Sequence, residues 1–397
     1  MSIFFHIDVN SAFLSWTALE LLEQGSEQDI RTIPSIVGGD TQTRHGIVLA
    51  KSIPAKAYGI QTAEPVVNAL RKCPNLTIVP PNHEMYRQRS KRLMEHLSQI
   101  CPDIEQVSID ECFMDYTPIM DKYPSPEVAA RIIKDSVREE FGFTVNVGIS
   151  DRKVLAKMAS DFKKPDLVHT LYSSEIEKKL WPLPVFSLFM CGHSSAETMH
   201  KLGIQTIGDL AHADLQILQS HLKSHGTTLW EYANGIDSSD ITPEPVKMKG
   251  IGNSTTLSTD AVTKEEAYRT LLQLAETVGQ RVRASHELAG MVSAEIKYAS
   301  FQSVSHQTTL ETPSASTDVI YTTACRLFDE LWNGKPIRLL GIRTSKLIPE
   351  NEPRQLSLFD YQNPTPKSEK QQKLDSALDS LRSKYGQDII KRGSLLD

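Results

Sequence analysis

Asp8, Asp110 and Glu111 are the residues of this chain best suited to chemistry. The pair lies in Ser108-Ile109-Asp110-Glu111-Cys112-Phe113-Met114-Asp115, between the stretches Ile104–Ile109 and Cys112–Met114. Adjacent side chains on a flat strand point to opposite faces. The two carboxylates can share a target only where the chain turns or bulges, which predicts a tight β-hairpin with the pair at its tip. Asp8 ends the apolar run Ile3-Phe4-Phe5-His6-Ile7, which reads as a buried strand. Clustered carboxylates repel one another unless a cation neutralises them. Their hard oxygens suit Mg²⁺, which keeps some waters and fills its shell from carboxylates and substrate phosphates. Three such acids on neighbouring strand ends would make a two-metal site for in-line displacement at phosphorus. Taken singly, each has a plainer explanation, a solvated turn for Asp110-Glu111 and a strand-end cap for Asp8.

The elements that must position these acids alternate between strand and helix. Asn10 or Ser11 can cap a helix carrying Ala12, Phe13 and Leu21-Leu22. The free N–H groups at its start suit phosphate oxygens. Phe13, on the first turn, is either core packing or a wall of the substrate pocket. Ile33–Gly39 and Gly46–Ala50 read as strands, and Lys51–Gly59 as a stretch broken by Pro54. The pattern predicts helices over Ala63–Leu70, Tyr86–Ile100, Ser125–Glu140 and Lys153–Phe162, with strands over Leu76–Val79 and Phe143–Ile149. A split β-α-β arrangement with acids on its central strands is the natural packing.

From Leu167 to Gly235 the pattern is helical. Ser194-Ser195-Ala196-Glu197 reads as a capping box, Gly203 as a helix end and Thr206-Ile207-Gly208-Asp209 as the next start. Such a helix pair either presents backbone amides to a phosphate chain or is a plain helical hairpin. Ser238–Lys249 is a polar linker. A second α+β unit follows, with helices over Thr263–Glu287 and Thr317–Trp332 and strands over Met291–Tyr298, His306–Thr312 and Ile337–Leu347. Leu347–Pro366 reads as a tether, and the apolar cluster Gln355-Leu356-Ser357-Leu358-Phe359 within it has the character of a docking peptide. Lys367–Gly386 is a helical pattern with Leu374, Leu378, Leu381 and Tyr385 on one side.

The 397 residues are enough for several compact units. At 40% apolar and 23% charged the composition is that of an ordinary globular protein. No run is apolar for long enough to cross a bilayer, and the N-terminal run is too short for a signal-peptide core. The five cysteines have no C-x-x-C spacing, which fits buried thiols in a reducing cytoplasm and excludes a disulfide frame. The twelve histidines form no ligand pattern. A net charge of −6 implies a modest, salt-sensitive grip if the partner is nucleic acid, so such a protein needs help to stay on its substrate.

Several motifs together resemble the Y-family, or translesion, DNA polymerases, nearest to the bacterial polymerase IV branch. They are Ile7-Asp8-Val9-Asn10-Ser11-Ala12-Phe13, Ser108-Ile109-Asp110-Glu111, Val147-Gly148-Ile149-Ser150 with Lys153-Val154-Leu155-Ala156-Lys157-Met158-Ala159-Ser160-Asp161, and Lys164-Pro165. Lys201-Leu202-Gly203-Ile204 with Thr206–Leu210, and Arg338-Leu339-Leu340-Gly341-Ile342-Arg343, extend the likeness to about residue 346. The resemblance implies an α+β multidomain right hand. It would have a ferredoxin-like palm (1–10 and 77–166), small fingers (11–76), a helical thumb (167–235), a linker (236–249) and an α/β little finger (250–346). A tether (347–366) and a helical tail (367–397) follow; the tail resembles that of the polymerase V catalytic subunit.

By the same resemblance, Asp8, Asp110 and Glu111 with the Val9 carbonyl hold two Mg²⁺ ions. Ser11, Ala12, Phe13, Lys56 and Lys164 bind the deoxynucleoside triphosphate, with Phe13 as the steric gate against ribose. Gly192, Gly203 and Arg343 contact primer-template DNA. Gln355, Leu356, Leu358 and Phe359 dock on the bacterial sliding clamp, which would supply the missing grip by raising effective concentration. A cytoplasmic monomer is expected. The chain departs from the family pattern at Ile53-Pro54-Ala55-Lys56, where Tyr-Glu-Ala-Arg is usual. A phenol hydroxyl is lost and a forked guanidinium becomes a point charge, which predicts nucleotide binding weaker by roughly 1–3 kcal/mol. Ala12 replaces a frequent aromatic, and Met190-Cys191-Gly192 stands where Gly-x-Gly is usual. Two other readings compete: a nucleotidyl cyclase sharing the palm, and a clamp-bound scaffold that no longer turns over.

Overall fold

The computed structural model describes residues 2–39, 46–238, 240–243, 247–352, 366–386 and 389–390. The expected docking peptide Gln355–Phe359 lies outside them. The chain forms two units, one of Met1–Gly39 with Gly46–Pro245 and one containing Val246–Asp397.

The first unit begins β1 (Phe4–Val9), α1 (Ala12–Glu23), β2 (Ser35–Gly38), β3 (Val48–Lys51), α2 (Ile53–Ala57), α3 (Val66–Lys72), β4 (Thr77–Val79) and α4 (His83–Ile100). It continues β5 (Ile104–Gln106), β6 (Glu111–Asp115), α5 (Pro126–Phe141), β7 (Val145–Ser150), α6 (Lys153–Ser160) and β8 (Val168–Thr170). Five of these strands make one sheet in the order β5-β6-β1-β7-β8. β1 lies at its centre because both of its faces are covered: Phe5, Ile7 and Val9 are buried among α4 and α5 side chains such as Leu93, Leu97, Ile133 and Val137. On the other face, Phe4 packs on Phe113 and Ala156. β3, β2 and β4 form a separate three-stranded sheet.

Pro54 does not break regular structure, as its ring type suggested. It is the second residue of α2, where no helical N–H bond is forfeited. Ser52 caps this short helix by accepting from the Ala55 N–H at 3.0 Å.

Helix α6 packs unusually close to β7. A Cβ on Gly148 would run into the Ala156 carbonyl oxygen and the Ser160 amide nitrogen. Both obstacles are backbone and cannot rotate aside. Gly148→Ala is therefore expected to lower stability by about 2–3 kcal/mol, read as a shift in urea midpoint. An unchanged midpoint would show that α6 can retreat freely.

After β8 the first unit is helical: α7 (Ile176–Lys179), α8 (His193–Lys201), α9 (Ile207–Ala211), α10 (Leu215–Leu222) and α11 (Ser224–Ala233). Their core includes Leu180, Met199, Ile207, Leu210 and Leu229, and it is continuous with Val154, Leu155 and Met158 of α6. α9 starts after Thr206 as expected, and Thr206 and Asp209 form a capping box there. Ser194 does not act as a cap: α8 starts two residues earlier than such a cap requires, with Gly192 at the N-cap and no side-chain bond. Part of the expected linker is held in place. Asp237 accepts from the Val154 N–H at the start of α6, and the Thr242 N–H donates to Glu105.

The second unit has β9 (Gly250–Ala261), α12 (Lys264–Ala284), β10 (Glu287–Tyr298), β11 (Ser303–Ser314), α13 (Thr317–Leu331) and β12 (Ile337–Pro349). The sheet order is β11-β10-β12-β9, antiparallel throughout. Sequence reasoning missed β9. Its Gly-Asn-Ser-Thr-Thr composition carries little apolar alternation, because an edge strand buries few side chains.

A helix over Pro366–Tyr385 closes the unit. Of its expected apolar stripe Leu374, Leu378, Leu381 and Tyr385, three residues, Leu374, Leu381 and Tyr385, are exposed. Its inward face is charged. Asp375 is buried and accepts from the Thr317 N–H at 3.2 Å, serving as a cap for α13, whose own Ser316 provides none. Asp379 pairs with both arms of Arg283, at 2.6 and 3.0 Å, and Arg382 reaches Glu276 of α12 at 3.1 Å.

Candidate active site

The hairpin of β5 and β6 turns through residues 107–110, and the Val107 and Ser108 N–H groups both donate to the Glu111 carbonyl. Asp110 is the last residue of the turn and Glu111 the first of the strand. In the antiparallel register of β1 and β6, Asp8 stands directly opposite Glu111, and the Val9 N–H donates to the Asp110 carbonyl at 3.0 Å. Residues so paired have Cβ atoms about 4.5–5.5 Å apart. The fold thus brings Asp8, Val9, Asp110 and Glu111 to one end of the inner strands β1 and β6 from positions about a hundred residues apart.

Two lysines neutralise the acids. Lys157 of α6 lies 2.6 Å from Glu111 Oε2 and 3.6 Å from Asp8 Oδ2. Lys164 lies 2.8 Å from Asp8 Oδ1 and 2.8 Å from Asp161. Burial works against both ammonium charges. It is outweighed for Lys157 by the bond to Glu111 and for Lys164 by the Asp8 charge, so both pKa values sit above the ordinary lysine value. Contact with His6, and then the Lys157 ammonium, hold the Glu111 carboxyl down at about 2 against its burial. Asp110 goes the other way. Burial, joined by the Asp8 and Glu111 charges, raises it, and the 2.7 Å bond from Ser108 Oγ is the main relief for the carboxylate.

These are hard oxygen donors of net negative charge, with ammonium groups standing where a stronger cation could compete, so the chemistry fits a divalent ion. Among the described residues no three acidic, histidine or cysteine side chains are drawn to metal-ligand spacing.

Sequence reasoning gave no role to three residues that hold this end of the strands. His6 is fully buried, with Nδ1 2.8 Å from Ser160 Oγ and Nε2 3.3 Å from Glu111 in a poorly aligned contact. Burial lowers its pKa, so the ring is kept neutral. The available signal was spacing: His6 is two residues from Asp8 on one strand, hence on the same face. Lys157 was visible as a motif member but its partner was not. Asn146 of β7 accepts from Asn10 at 3.1 Å and donates to the Ser160 and Lys163 carbonyls. Asn10 in turn accepts from Thr144 and from the Asp166 N–H, both at 2.9 Å. This network fixes the loop that carries Lys164.

Beside the acids is a cavity of about 430 Å³, with Ser11, Arg31, Lys51, Ile53, Lys56 and Lys164 among its walls. Ser11 has a φ of +49° and no side chain caps α1, so the first amides of the helix stay available to an anion. Backbone strain of this kind persists where surrounding structure fixes it. Phe13 is not among the walls of this cavity. Its ring lies flat on Tyr86, with centroids 4.4 Å apart and planes 7° apart, and His83 meets it edge-on at 6.0 Å. Ala12 beside it is buried.

The expected DNA contacts fall in both units. Gly192 and Gly203 bracket α8; a Cβ on either would meet open space, and Gly203 has a φ of +82°. Met190 takes a φ of +70°, so the turn keeps a left-handed residue although a methionine stands there, at a cost of roughly 1 kcal/mol. Arg343 of β12 is exposed on the sheet face away from the buried Ile342, beside a polar cavity of about 710 Å³ that also includes Asn253, Ser293 and Glu295.

Comparison with known proteins agrees with this geometry. The chain has the fold of a Y-family DNA polymerase: a solved Y-family polymerase chimera aligns with a TM-score of 0.75 at 21% identity, over 87% of this chain and 99% of the other. The impB/mucB/samB family matches residues 7–161, and its C-terminal domain matches residues 248–358. DNA polymerase IV of Clostridium acetobutylicum is 47% identical, covering 100% of this chain and 98% of its own. DNA polymerase IV of Alkaliphilus oremlandii is 36% identical over 99% of each chain, and that of Clostridium kluyveri 37% over 99% and 98%. This chain belongs to the impB/mucB/samB family, together with these polymerases.

Proposed function

We propose that the chain is a template-directed DNA polymerase of the translesion type that adds deoxynucleotides to a primer 3′-end. The observation that carries this reading is the opposition of Asp8 to Glu111, with Asp110 beside them, joined through Lys164 to a cavity whose walls also include Lys56. The acids and the Val9 carbonyl are the groups that would hold two Mg²⁺ ions. Bound there, the ions supply charge neutralisation for the entering and leaving oxygens of an in-line displacement. The chain's own residues do the rest. Lys164 and the open amides of α1 bind phosphate oxygens. Lys157 keeps the acids paired until substrate arrives. Phe13, braced by Tyr86, excludes the ribose 2′-hydroxyl.

Residues 1–10 and 77–166 serve as palm, 11–76 as fingers, 167–235 as thumb and 250–346 as little finger. Gly192, Gly203 and Arg343 then face primer-template DNA. The protein acts as a cytoplasmic monomer; no described helix is long and apolar enough to cross a membrane. The cyclase and scaffold readings gain nothing from the relatives, which are polymerases along their whole length. A primer-extension assay with Mg²⁺ and deoxynucleotides, on intact and damaged templates, tests the reading; no extension on either template would overturn it.

Gln355–Phe359 serves as the docking peptide for the sliding clamp. Deleting these five residues alone is expected to remove clamp stimulation, of the order of 10²-fold for a tethered substrate, while basal extension persists. Stimulation surviving the deletion would place the docking element elsewhere.

A further inference from the structure

We infer that Lys51 is a triphosphate ligand of this enzyme, taking over the binding work that Ile53 and Lys56 leave undone. The inference rests on the polymerase reading above. β3 is buried on one face at Val48 and Ala50 and half-open on the other at Leu49 and Lys51, as a strand on a cavity wall should be. Lys51 therefore projects from the open face and lines the same cavity as Ser11, Lys56 and Lys164.

Its surroundings are those of a cation waiting for an anion. Among the described residues, the Lys51 ammonium has no hydrogen-bond acceptor and no ion-pair partner. The acid whose charge acts on it, Glu64, is engaged elsewhere: one oxygen accepts from the Gln61 N–H at 2.8 Å and the other holds Lys72 at 2.6 Å. Burial, and next the charge of Lys56, make the Lys51 proton less tightly held than in water. Nature tolerates an uncompensated half-buried ammonium where a ligand supplies the counter-charge. Lys164 is differently placed, since it already rests on Asp8 and Asp161.

Lys51 and Lys56 are thus the cations of this cavity that a polyphosphate can engage without first breaking an ion pair. Two point charges from separate elements replace one forked guanidinium and one phenol. The weakness expected from Ile53 and Lys56 is offset by a residue on the preceding strand, and the protein should bind deoxynucleotides better than those two positions suggest.

The test compares the wild type with Lys51→Met, Lys51→Gln, Lys51→Arg and Lys56→Met on primer-template DNA with Mg²⁺. Lys51→Met is expected to raise KM for deoxynucleotides about ten-fold, the size of one charge-assisted hydrogen bond, with kcat within about two-fold, and Lys51→Arg should restore it. In parallel, calorimetry measures Mg²⁺-inorganic tripolyphosphate, which lacks base and sugar; its affinity should fall by a similar factor in Lys51→Met. Lys51→Gln replaces Lys51→Met if the latter does not fold. Unchanged KM and unchanged tripolyphosphate affinity in a folded variant would overturn the assignment. So would a fall in kcat alone, or failure of arginine to rescue. If the wild type does not extend primers, the polymerase reading falls first; the tripolyphosphate titration still decides whether Lys51 binds phosphate.

Discussion

Asp110→Asn is expected to lower primer extension by roughly three orders of magnitude and, in metal-free buffer at neutral pH, to raise the melting temperature. The first effect follows from losing a carboxylate that neutralises cationic charge, several kcal/mol of transition-state stabilisation at about 1.4 kcal/mol per decade. The second follows from the environment of Asp110. Burial and two neighbouring carboxylates raise its pKa, so its ionised form burdens the native state. An amide removes that burden, and each kcal/mol recovered is worth about 2–4 °C in a chain of this kind.

Glu111→Gln should cost activity too but move stability the opposite way, down by roughly 2–4 kcal/mol, because Lys157 loses its 2.6 Å partner in a half-buried setting. The pH dependence carries the same sign. Glu111 titrates at about 2 in the fold against an ordinary 4.5. Its stabilisation is therefore complete above pH 4.5 and is lost as pH falls toward 2. Calorimetric scans of wild type and both variants between pH 2 and 7 check all of this. If Asp110→Asn melts lower than wild type while metal is absent, the acid is not the strained member of the cluster.

Phe13→Ala is expected to admit ribonucleotides, narrowing the ratio of kcat/KM for deoxy- over ribonucleotides by roughly a hundred-fold. The ring does not stand alone. It lies flat on Tyr86, which hydrogen-bonds Thr17 at 2.8 Å, and it is flanked by His83. A ring braced in this way cannot yield by rotating, so only its removal frees the space it fills. The stacked pair contributes about 1 kcal/mol beyond area burial, so the variant should melt slightly lower. Tyr86→Leu should relax sugar discrimination partially, since it leaves the gate in place but removes its backing. Single-nucleotide incorporation with each sugar measures both; unchanged discrimination in Phe13→Ala would mean that another group reads the 2′ position.

What the sequence makes legible here depends on whether a residue acts through local pattern or through a distant partner. The hairpin that presents Asp110 and Glu111 follows from two adjacent acids that cannot share a face of a flat strand. The strand under Asp8 follows from four apolar residues around His6. The pairing of Lys157 with Glu111 and Asp8, the neutral His6 and the Asn10–Asn146 network link segments separated by up to some 150 residues, and one sequence carries no record of such distances. β9 escaped for a different reason: an edge strand needs little apolar alternation. The C-terminal helix misled because its leucines form a stripe, whereas the side it turns inward holds acids that satisfy Arg283 and the bare end of α13. Phosphate-binding capacity at Lys51 was hidden as well, since a lone lysine at a strand end looks like any solvated charge.

The buried Asp375 changes how this polymerase should be truncated. Stopping the chain just before Gln355, where the proposed clamp peptide begins, would remove more than that peptide. It would strip the cap from α13 and leave Arg283 facing its own helix without a counter-ion. A protein cut at that point is expected to lose the integrity of its second unit, so its failure to copy DNA would say nothing about the clamp. Only an internal excision that keeps the last helix can separate recruitment from architecture.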